Sequence, residues 1–256
     1  MTTGAAPATA AAAVERPTGS APGPRRRLGV LVPSSNSNAE SSILRMLAGE
    51  ADVAAHFSRF RLPPDLGDRI DAGVLGDAPA MLADVEPDAI AFHGTSGSWT
   101  GFAGERELCA QLEVVVGAPA TTATLAVRAA LDALGLRRVG LVFPGPRPIA
   151  EQIAVQYAAD GVAMPVISAP EVELANAEIA RVGEDWIDAL LRPAFQGDVD
   201  GVVCIGTNLR SAYRVSAFEA EFGVPVIDSA TATLWQLLRL AGAARPIAGW
   251  GALLQA

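Results

Sequence analysis

The feature that most constrains the fold of this chain is an internal repeat. The segment Asp88-Ala-Ile-Ala-Phe-His-Gly-Thr-Ser-Gly-Ser98 is an apolar run that ends in small hydroxyl residues and glycines, and Asp200-Gly-Val-Val-Cys-Ile-Gly-Thr-Asn208 has the same form. Equivalent residues, such as Gly94 and Gly206, lie 112 positions apart. Each run is typical of a buried parallel strand that stops at a loop showing backbone N–H groups and hydroxyls.

Two further pairs of motifs occur in the same order. Arg26-Arg-Leu-Gly-Val-Leu-Val-Pro33 is matched by Arg137-Arg-Val-Gly-Leu-Val-Phe-Pro144, and Gly117-Ala-Pro-Ala-Thr-Thr-Ala-Thr-Leu125 is matched by a longer copy that starts at Gly223. The repeat predicts an α/β fold of two pseudo-symmetric lobes, each a short parallel sheet flanked by helices. Because right-handed crossovers bring the strand C-termini to one edge, we expect the loops after the two central strands to line a ligand cleft between the lobes.

The chain divides into four predicted parts. Residues 1–24 are rich in Ala, Thr, Pro and Gly and lack the charged start and Leu-rich centre of a signal peptide, so a disordered tail is predicted. The first lobe is expected over residues 25–120 and the second over 121–228. Residues 229–256 are expected to form a C-terminal helix that returns to the first lobe. Within the first lobe, Val114-Val-Val-Gly-Ala-Pro119 is predicted to be a strand.

Composition argues against several functional classes. A net charge of −9 is opposite to that of a nucleic-acid-binding surface. The two cysteines give no disulfide framework, and the two histidines lack neighbouring ligands at metal-binding spacing, so no metal and no cofactor are expected. No apolar run approaches the ~20 residues that span a bilayer, and the predicted location is the cytoplasm. The apolar content of the helices would allow a homo-oligomer, but composition does not decide this.

Four motifs together resemble the maleate isomerase and arylmalonate decarboxylase branch of the Asp/Glu racemase superfamily. They are Val32-Pro-Ser-Ser-Asn36, Gly94-Thr-Ser-Gly-Ser98, Gly206-Thr-Asn-Leu-Arg210, and Val224-Pro-Val-Ile-Asp-Ser229 with Thr233-Leu-Trp235. The likeness covers roughly residues 27–250. It implies a cofactor-independent enzyme that acts on a small carboxylate or dicarboxylate in the cleft between two lobes.

The chain departs from this family pattern at the catalytic positions. In the superfamily each lobe offers a cysteine at the end of its central strand; arylmalonate decarboxylases keep only the second and have glycine at the first. Here Gly94 and Gly206 occupy the two positions, so both thiols are missing. Cys204 lies two residues before Gly206, on the same face of the strand but deeper by about 7 Å, and is either a buried structural thiol or a displaced nucleophile.

A second departure follows the first strand of the second lobe. Relatives carry a tyrosine there that helps bind a carboxylate, whereas this chain has Phe143-Pro-Gly-Pro-Arg147. Arg147 either takes over anion binding through its bidentate guanidinium group or lies on the surface.

The surviving candidates form a set of hydrogen-bond donors. Such donors can hold a carboxylate and stabilise an enediolate as it forms. The predicted substrate-binding residues are Pro33, Ser34, Ser35, Asn36, Thr95, Ser96, Thr207 and Asn208. His93 is the titratable ring beside them: strand alternation points it into packing against a helix, but a twisted strand end would make it a proton donor.

These residues favour decarboxylation, or a related enolate-forming lyase or isomerase step, over chemistry that needs a thiolate. Addition of a thiolate to a double bond and two-base racemisation both need side chains that glycine lacks. Water or another side chain would then supply the proton. The alternative is a catalytically lapsed family member that binds a carboxylate metabolite or a partner.

Overall fold

The computed structural model describes residues 23–63 and 70–256, so nearly all of the predicted tail lies outside the described residues. In the first half the elements are β1 (Arg26–Pro33), α1 (Ala39–Met46), β2 (Val53–Phe60), α2 (Ala72–Leu75), α3 (Ala78–Ala83), β3 (Ala89–Phe92), α4 (Gly97–Thr100), α5 (Phe102–Val116), β4 (Ala120–Thr122) and α6 (Ala123–Ala133). In the second half they are β5 (Arg138–Val142), α7 (Arg147–Ala159), β6 (Ala163–Ser168), α8 (Asn176–Ile179), α9 (Glu184–Leu191), β7 (Gly201–Cys204), α10 (Val215–Phe222), β8 (Val226–Asp228) and α11 (Ser229–Leu240).

The two halves form two parallel four-stranded sheets with the same topology. The strand order is β2-β1-β3-β4 in one sheet and β6-β5-β7-β8 in the other. One inner strand of each sheet, β3 and β7, is a fully buried apolar run, as expected for a sheet covered by helices on both faces. The α/β fold of two repeated lobes predicted from the sequence is therefore confirmed.

One pair of repeated acids has the same structural role in both sheets. The Asp88 carboxylate accepts the backbone N–H of Arg27 at 2.8 Å, and the Asp200 carboxylate accepts that of Arg137, also at 2.8 Å. Each acid thus ties the start of a central strand to the start of its neighbour. This contact explains why the repeat carries an aspartate at the beginning of each motif.

The last helix of each half packs across to the opposite sheet. α11 follows β8 of the second sheet but contacts β3 and β4 of the first, and α6 follows β4 but contacts β8. The two helices also pack against each other, and one hydrophobic cluster runs through both lobes. The lobe boundaries at residues 120 and 228 stay predictions; the first sheet includes Thr121 and Thr122.

The strand predicted at Val114 to Pro119 is wrong. Helix α5 continues to Val116 and ends at Gly117, which adopts a left-handed conformation, and the strand β4 begins only at Ala120. Val114 is 87% exposed, so these β-branched residues lie on a solvent-facing helix end and do not form a buried strand. In the part of the chain that the structure describes, no helix is long and apolar enough to cross a membrane.

Candidate active site

The loops after β3 and β7 meet at a cavity between the two sheets. β3 ends at Phe92 and β7 ends at Cys204, so both loops leave the carboxyl edge of their sheet. The cavity has a volume of about 200 Å³. It is lined by eight of the residues predicted from the sequence: Pro33, Asn36, Gly94, Thr95, Ser96, Gly206, Thr207 and Asn208.

Both loops carry backbone N–H groups that have no acceptor among the described residues. Among the described residues, none accepts from the N–H groups of Thr95 and Ser96 in the first loop or of Thr207 and Asn208 in the second. The hydroxyls of Thr95 and Ser96 are likewise unengaged by any described residue. The two loops therefore offer a set of free donors, which is what an anionic oxygen requires.

The remaining predicted donors mostly hold the two lobes together. Asn36 Nδ2 donates to Thr207 Oγ1 at 3.1 Å, and Thr207 Oγ1 donates to the backbone oxygen of His93 at 3.1 Å. Asn208 Oδ1 accepts the N–H of Ser37 in the first lobe at 3.1 Å, while its Nδ2 donates within the second lobe to the backbone oxygen of Asn176 at 2.8 Å. These side chains line the cavity, but much of their hydrogen-bonding capacity serves the contact between the lobes.

Ser34 and Ser35, both predicted to bind substrate, do not line the cavity. Both are exposed. The backbone oxygen of Ser34 accepts from Arg59, and Ser35 Oγ accepts Asn176 Nδ2 at 2.7 Å. The chain turns at this point, because the N–H of Asn36 donates back to the oxygen of Pro33 at 2.9 Å. That turn carries the two serines outward.

Rings fill the space where the two family cysteines would project. A β-carbon on Gly94 would lie 2.5 Å from Cζ of Phe92, whose ring packs against Phe60 with centroids 5.5 Å apart. A β-carbon on Gly206 would lie 2.9 Å from Cγ of Pro144, and Gly206 has a φ of +147°, which side chains rarely adopt. The sequence lacks both cysteines, and in the folded chain neighbouring rings occupy the space that their side chains would fill.

The position of the expected tyrosine is filled in the same way. A β-carbon on Gly145 would lie 2.6 Å from Cε1 of Phe143, and the Phe143 ring packs edge-on against Trp99 with centroids 5.7 Å apart. Arg147 is exposed and donates to the backbone oxygen of Ile167 at 3.4 Å. It does not line the cavity, so of the two alternatives the structure favours a surface position.

His93 does not suit the predicted role of proton donor. It is fully buried, neither ring nitrogen has a hydrogen-bond partner among the described residues, and it does not line the cavity. Burial lowers the pKa of His93 to about 3, so the ring is neutral at pH 7. Strand alternation sends the ring away from the loop, as the sequence indicated.

Neither cysteine is placed to act as a nucleophile. Cys204 is fully buried in the core of the second lobe, 3.1 Å from the Ser211 hydroxyl, and burial raises the pKa of its thiol far above its usual range. Burial also raises the pKa of the Cys109 thiol, to about 12. Both thiols are protonated at neutral pH, and neither lines the cavity.

Several lining residues were not predicted from the sequence. Most are apolar, and they include Leu62, Ile70, Trp99, Phe143, Leu174, Ile179 and Leu209. Asn176 and Glu173 come from the segment around α8, and Glu173 is the only ionisable side chain among the described residues of the lining. Trp99 follows the repeat directly and was within reach of sequence reasoning, whereas no motif marks Glu173 or Asn176. No cluster of metal-ligating side chains occurs in residues 23–63 and 70–256.

Comparisons with known proteins agree with this geometry. The family model described as arylmalonate decarboxylase matches residues 29–254. The chain is similar to a maleate isomerase of Nocardia farcinica, with 28% identity over 243 residues covering 90% of this chain and 96% of that protein. It is also similar to an arylmalonate decarboxylase of Bordetella bronchiseptica, with 27% identity over 232 residues, covering 88% and 95%.

Solved structures show the same likeness. The maleate isomerase Iso from Pseudomonas putida S16 superposes with a TM-score of 0.80 at 25% identity, covering 90% of this chain and 98% of that one. An unliganded arylmalonate decarboxylase superposes with a TM-score of 0.74 at 25% identity, again covering 90% and 98%. The resemblance found in the sequence motifs is thereby confirmed.

Proposed function

Because the chain belongs to the arylmalonate decarboxylase family, we propose that it is a cofactor-independent enzyme that decarboxylates a substituted malonate through an enolate. The observation that carries this proposal is the pair of loops whose free N–H groups line a cavity without a thiol. Decarboxylation leaves an enediolate, and its stabilisation needs preorganised donors and no nucleophile. The relatives act on small carboxylates, and we assign the same class of substrate to this chain.

The free hydrogen-bond donors and the apolar side chains of the cavity would have different roles in this reaction. The N–H groups and hydroxyls of Thr95 and Ser96 would hold one carboxylate and stabilise the charge that develops on it. The apolar side chains, such as Leu174 and Ile179, would surround the other carboxylate, which loses its hydration there and leaves as CO₂. Water would then protonate the carbon. Isomerisation of maleate is not proposed, since the positions of both thiols are glycine and are filled by neighbouring rings.

A second candidate is a family member that binds a carboxylate without turning it over. The observation in its favour is that Asn36, Thr207 and Asn208 are engaged in contacts between the lobes. A cytoplasmic location and assembly into a homo-oligomer stay predictions.

The test is proton NMR of the purified protein in D₂O with phenylmalonate, methylmalonate and maleate in separate samples. We expect phenylacetate, deuterated at the α-carbon, to appear from phenylmalonate and no fumarate to appear from maleate. Conversion of maleate to fumarate would contradict the proposal. Binding of phenylacetate with no turnover of either malonate would favour the second candidate.

A further inference from the structure

A buried carboxyl group lies directly behind the first loop. Glu105 lies on α5 and is 4% exposed, and its Oε2 atom has no hydrogen-bond partner among the described residues. Its side chain fills the space beside the α-carbon of Gly97, where a β-carbon would overlap Cγ, Cδ and Oε1 of the glutamate. Gly97 follows Ser96, so this carboxyl group is adjacent to the N–H groups that we propose bind the substrate.

The surroundings of Glu105 compensate its charge poorly. The Gly97 N–H and the Thr122 side chain favour its ionised form, but within the described ranges no ion pair reaches it from α2, α3, α4, α6 or β4. The titratable groups that interact with it electrostatically are Tyr157 on α7 and Cys109 on its own helix. Burial raises the pKa of that phenol and that thiol, so both are neutral at pH 7.

We propose that Glu105 couples carboxylate binding at this loop to the uptake of a proton, so that the cleft takes its anionic ligand together with a proton. The inference rests on the proposed function, which places a substrate carboxylate at Thr95 and Ser96. Two negative charges close together in a buried site repel each other, and protonation of Glu105 removes that repulsion. Coupling is reciprocal, so the bound anion must raise the proton affinity of Glu105.

The free protein is poised for this coupling. Desolvation by burial raises the pKa of Glu105 to about 7, whereas the Thr122 side chain and the Gly97 N–H act in the opposite direction. The group is therefore largely ionised at pH 8 in the empty site. A bound carboxylate adds a negative charge beside the loop and draws a proton from solvent.

The test is isothermal titration calorimetry of the full chain with phenylacetate at pH 8, in HEPES and in Tris. These buffers release a proton with different enthalpies, so proton uptake makes the observed binding enthalpy depend on the buffer. We expect that dependence, with the sign of uptake, for the unmodified chain. Binding whose enthalpy is the same in both buffers would overturn the proposal.

Two variants on α5 locate the proton. Glu105→Gln is an isostere of the neutral carboxyl group and should abolish the buffer dependence while binding phenylacetate about tenfold more tightly at pH 8. Glu113→Gln is the matched control: Glu113 is exposed and accepts the N–H of Ala120 at 3.1 Å, a role that glutamine retains. Proton uptake that persists in Glu105→Gln would overturn the proposal.

The outcomes separate this inference from the proposed function. Proton uptake without decarboxylation of any malonate would reject the proposed reaction and leave the coupling in place. Decarboxylation together with a binding enthalpy that does not depend on the buffer would support the proposed reaction and reject the coupling. If phenylacetate does not bind at any pH between 5.5 and 8, the coupling is rejected, and the NMR assay of malonate turnover decides the proposed function separately. The measurement on the unmodified chain stands even if Glu105→Gln fails to fold.

Discussion

Gly94 and Gly206 stand where the family has cysteines, and this is the main difference between this site and those of its relatives. The residues packed beside the two glycines reinforce that difference. The sequence shows that two cysteines are missing. It does not show that the rings of Phe92 and Pro144 fill the space where those thiols would project. A side chain two residues back, or in the loop after β5, packs there only in the folded chain. Restoring a thiol at either position therefore requires a neighbouring ring to shift.

This packing predicts the cost of a β-carbon at residue 94. Gly94→Ala should lower the free energy of unfolding by about 1–3 kcal/mol, since the fully buried Phe92 ring must shift to accommodate it. Gly49→Ala is the matched control, because a β-carbon there meets nothing within 4 Å. Urea denaturation measures both. In a Phe92→Leu background the cost of Gly94→Ala should shrink, and an unchanged cost would show that the ring is not the obstacle.

The cavity also predicts the stereochemistry of the product. Glu173, the ionisable side chain among the described lining residues, is exposed, and His93 and Cys204 are buried in the core. None of these three side chains is therefore held in position to protonate the substrate carbon. Water should therefore protonate the enediolate from both faces. Decarboxylation of 2-methyl-2-phenylmalonate should give racemic 2-phenylpropionate by chiral chromatography, and Glu173→Gln should change kcat by less than about threefold. An enantiomeric excess that Glu173→Gln abolishes would identify that residue as the acid.

Among the helices and strands, the sequence correctly predicted elements that occur in both halves, and it mispredicted the end of α5, which has no equivalent motif in the second half. Asp88 and Asp200 tie the same strand starts in both sheets, and comparison of the two halves predicted two repeated lobes with parallel sheets. The run from Val114 to Val116 is not matched by a similar run in the second half of the sequence. Three consecutive β-branched residues before a glycine and a proline are typical of a buried strand, and only the tertiary position of α5 shows that they end a helix.

The N-terminus of α11 carries a buried carboxyl group with a pH-dependent effect on stability. Asp228 caps this helix by accepting the N–H groups of Ala230 and Thr231, and it also accepts the Ser211 hydroxyl at 2.5 Å. Burial raises its pKa from 3.8 to about 6, against the opposing effect of these hydrogen bonds. The folded state therefore holds a proton there more tightly than the unfolded state does.

Asp228→Asn should remove this pH dependence, since asparagine is neutral and also caps helices. The contribution of Asp228 is largest below pH 4 and falls as the pH rises through about 6, so the stability of the unmodified chain relative to the variant should fall by about 2 kcal/mol between pH 4 and pH 7. Urea denaturation across that range measures this. Asp71→Asn, at the exposed N-cap of α2, controls for loss of a carboxylate at a helix N-terminus. A difference that does not vary with pH would contradict the assignment.

At the scale of the whole molecule, the cleft depends on buried polar contacts between the lobes. Asn38 lies outside the cavity lining, and its Nδ2 donates to the backbone oxygens of Asn208 at 2.6 Å and Ala180 at 3.1 Å. From the sequence, Asn36 and Asn208 are predicted only to bind substrate. Their partners across the cleft, Thr207 and Ser37, lie 171 residues away, so no local pattern reveals these contacts.

Asn38→Ala should therefore weaken both the fold and the site. It leaves two buried carbonyl groups without their donor and should lower the free energy of unfolding by roughly 2–4 kcal/mol. The KM for phenylmalonate should rise, since the second loop loses an anchor. Ser41→Ala is the control: it removes a hydrogen bond to the oxygen of Asn38 within the first turn of α1 and spares the lobe contact. Equal effects of the two variants in urea denaturation would contradict this reading.

The proposed reaction requires the cleft to stabilise an enediolate without any thiol, and the cysteine content of the chain allows this to be tested. It contains only Cys109 and Cys204, so Cys109→Ala/Cys204→Ala is free of cysteine. We expect this double variant, shown to be folded by circular dichroism, to decarboxylate phenylmalonate with a kcat within about threefold of the unmodified chain. Loss of activity in the folded, cysteine-free protein would contradict the claim and assign the chemistry to a thiol.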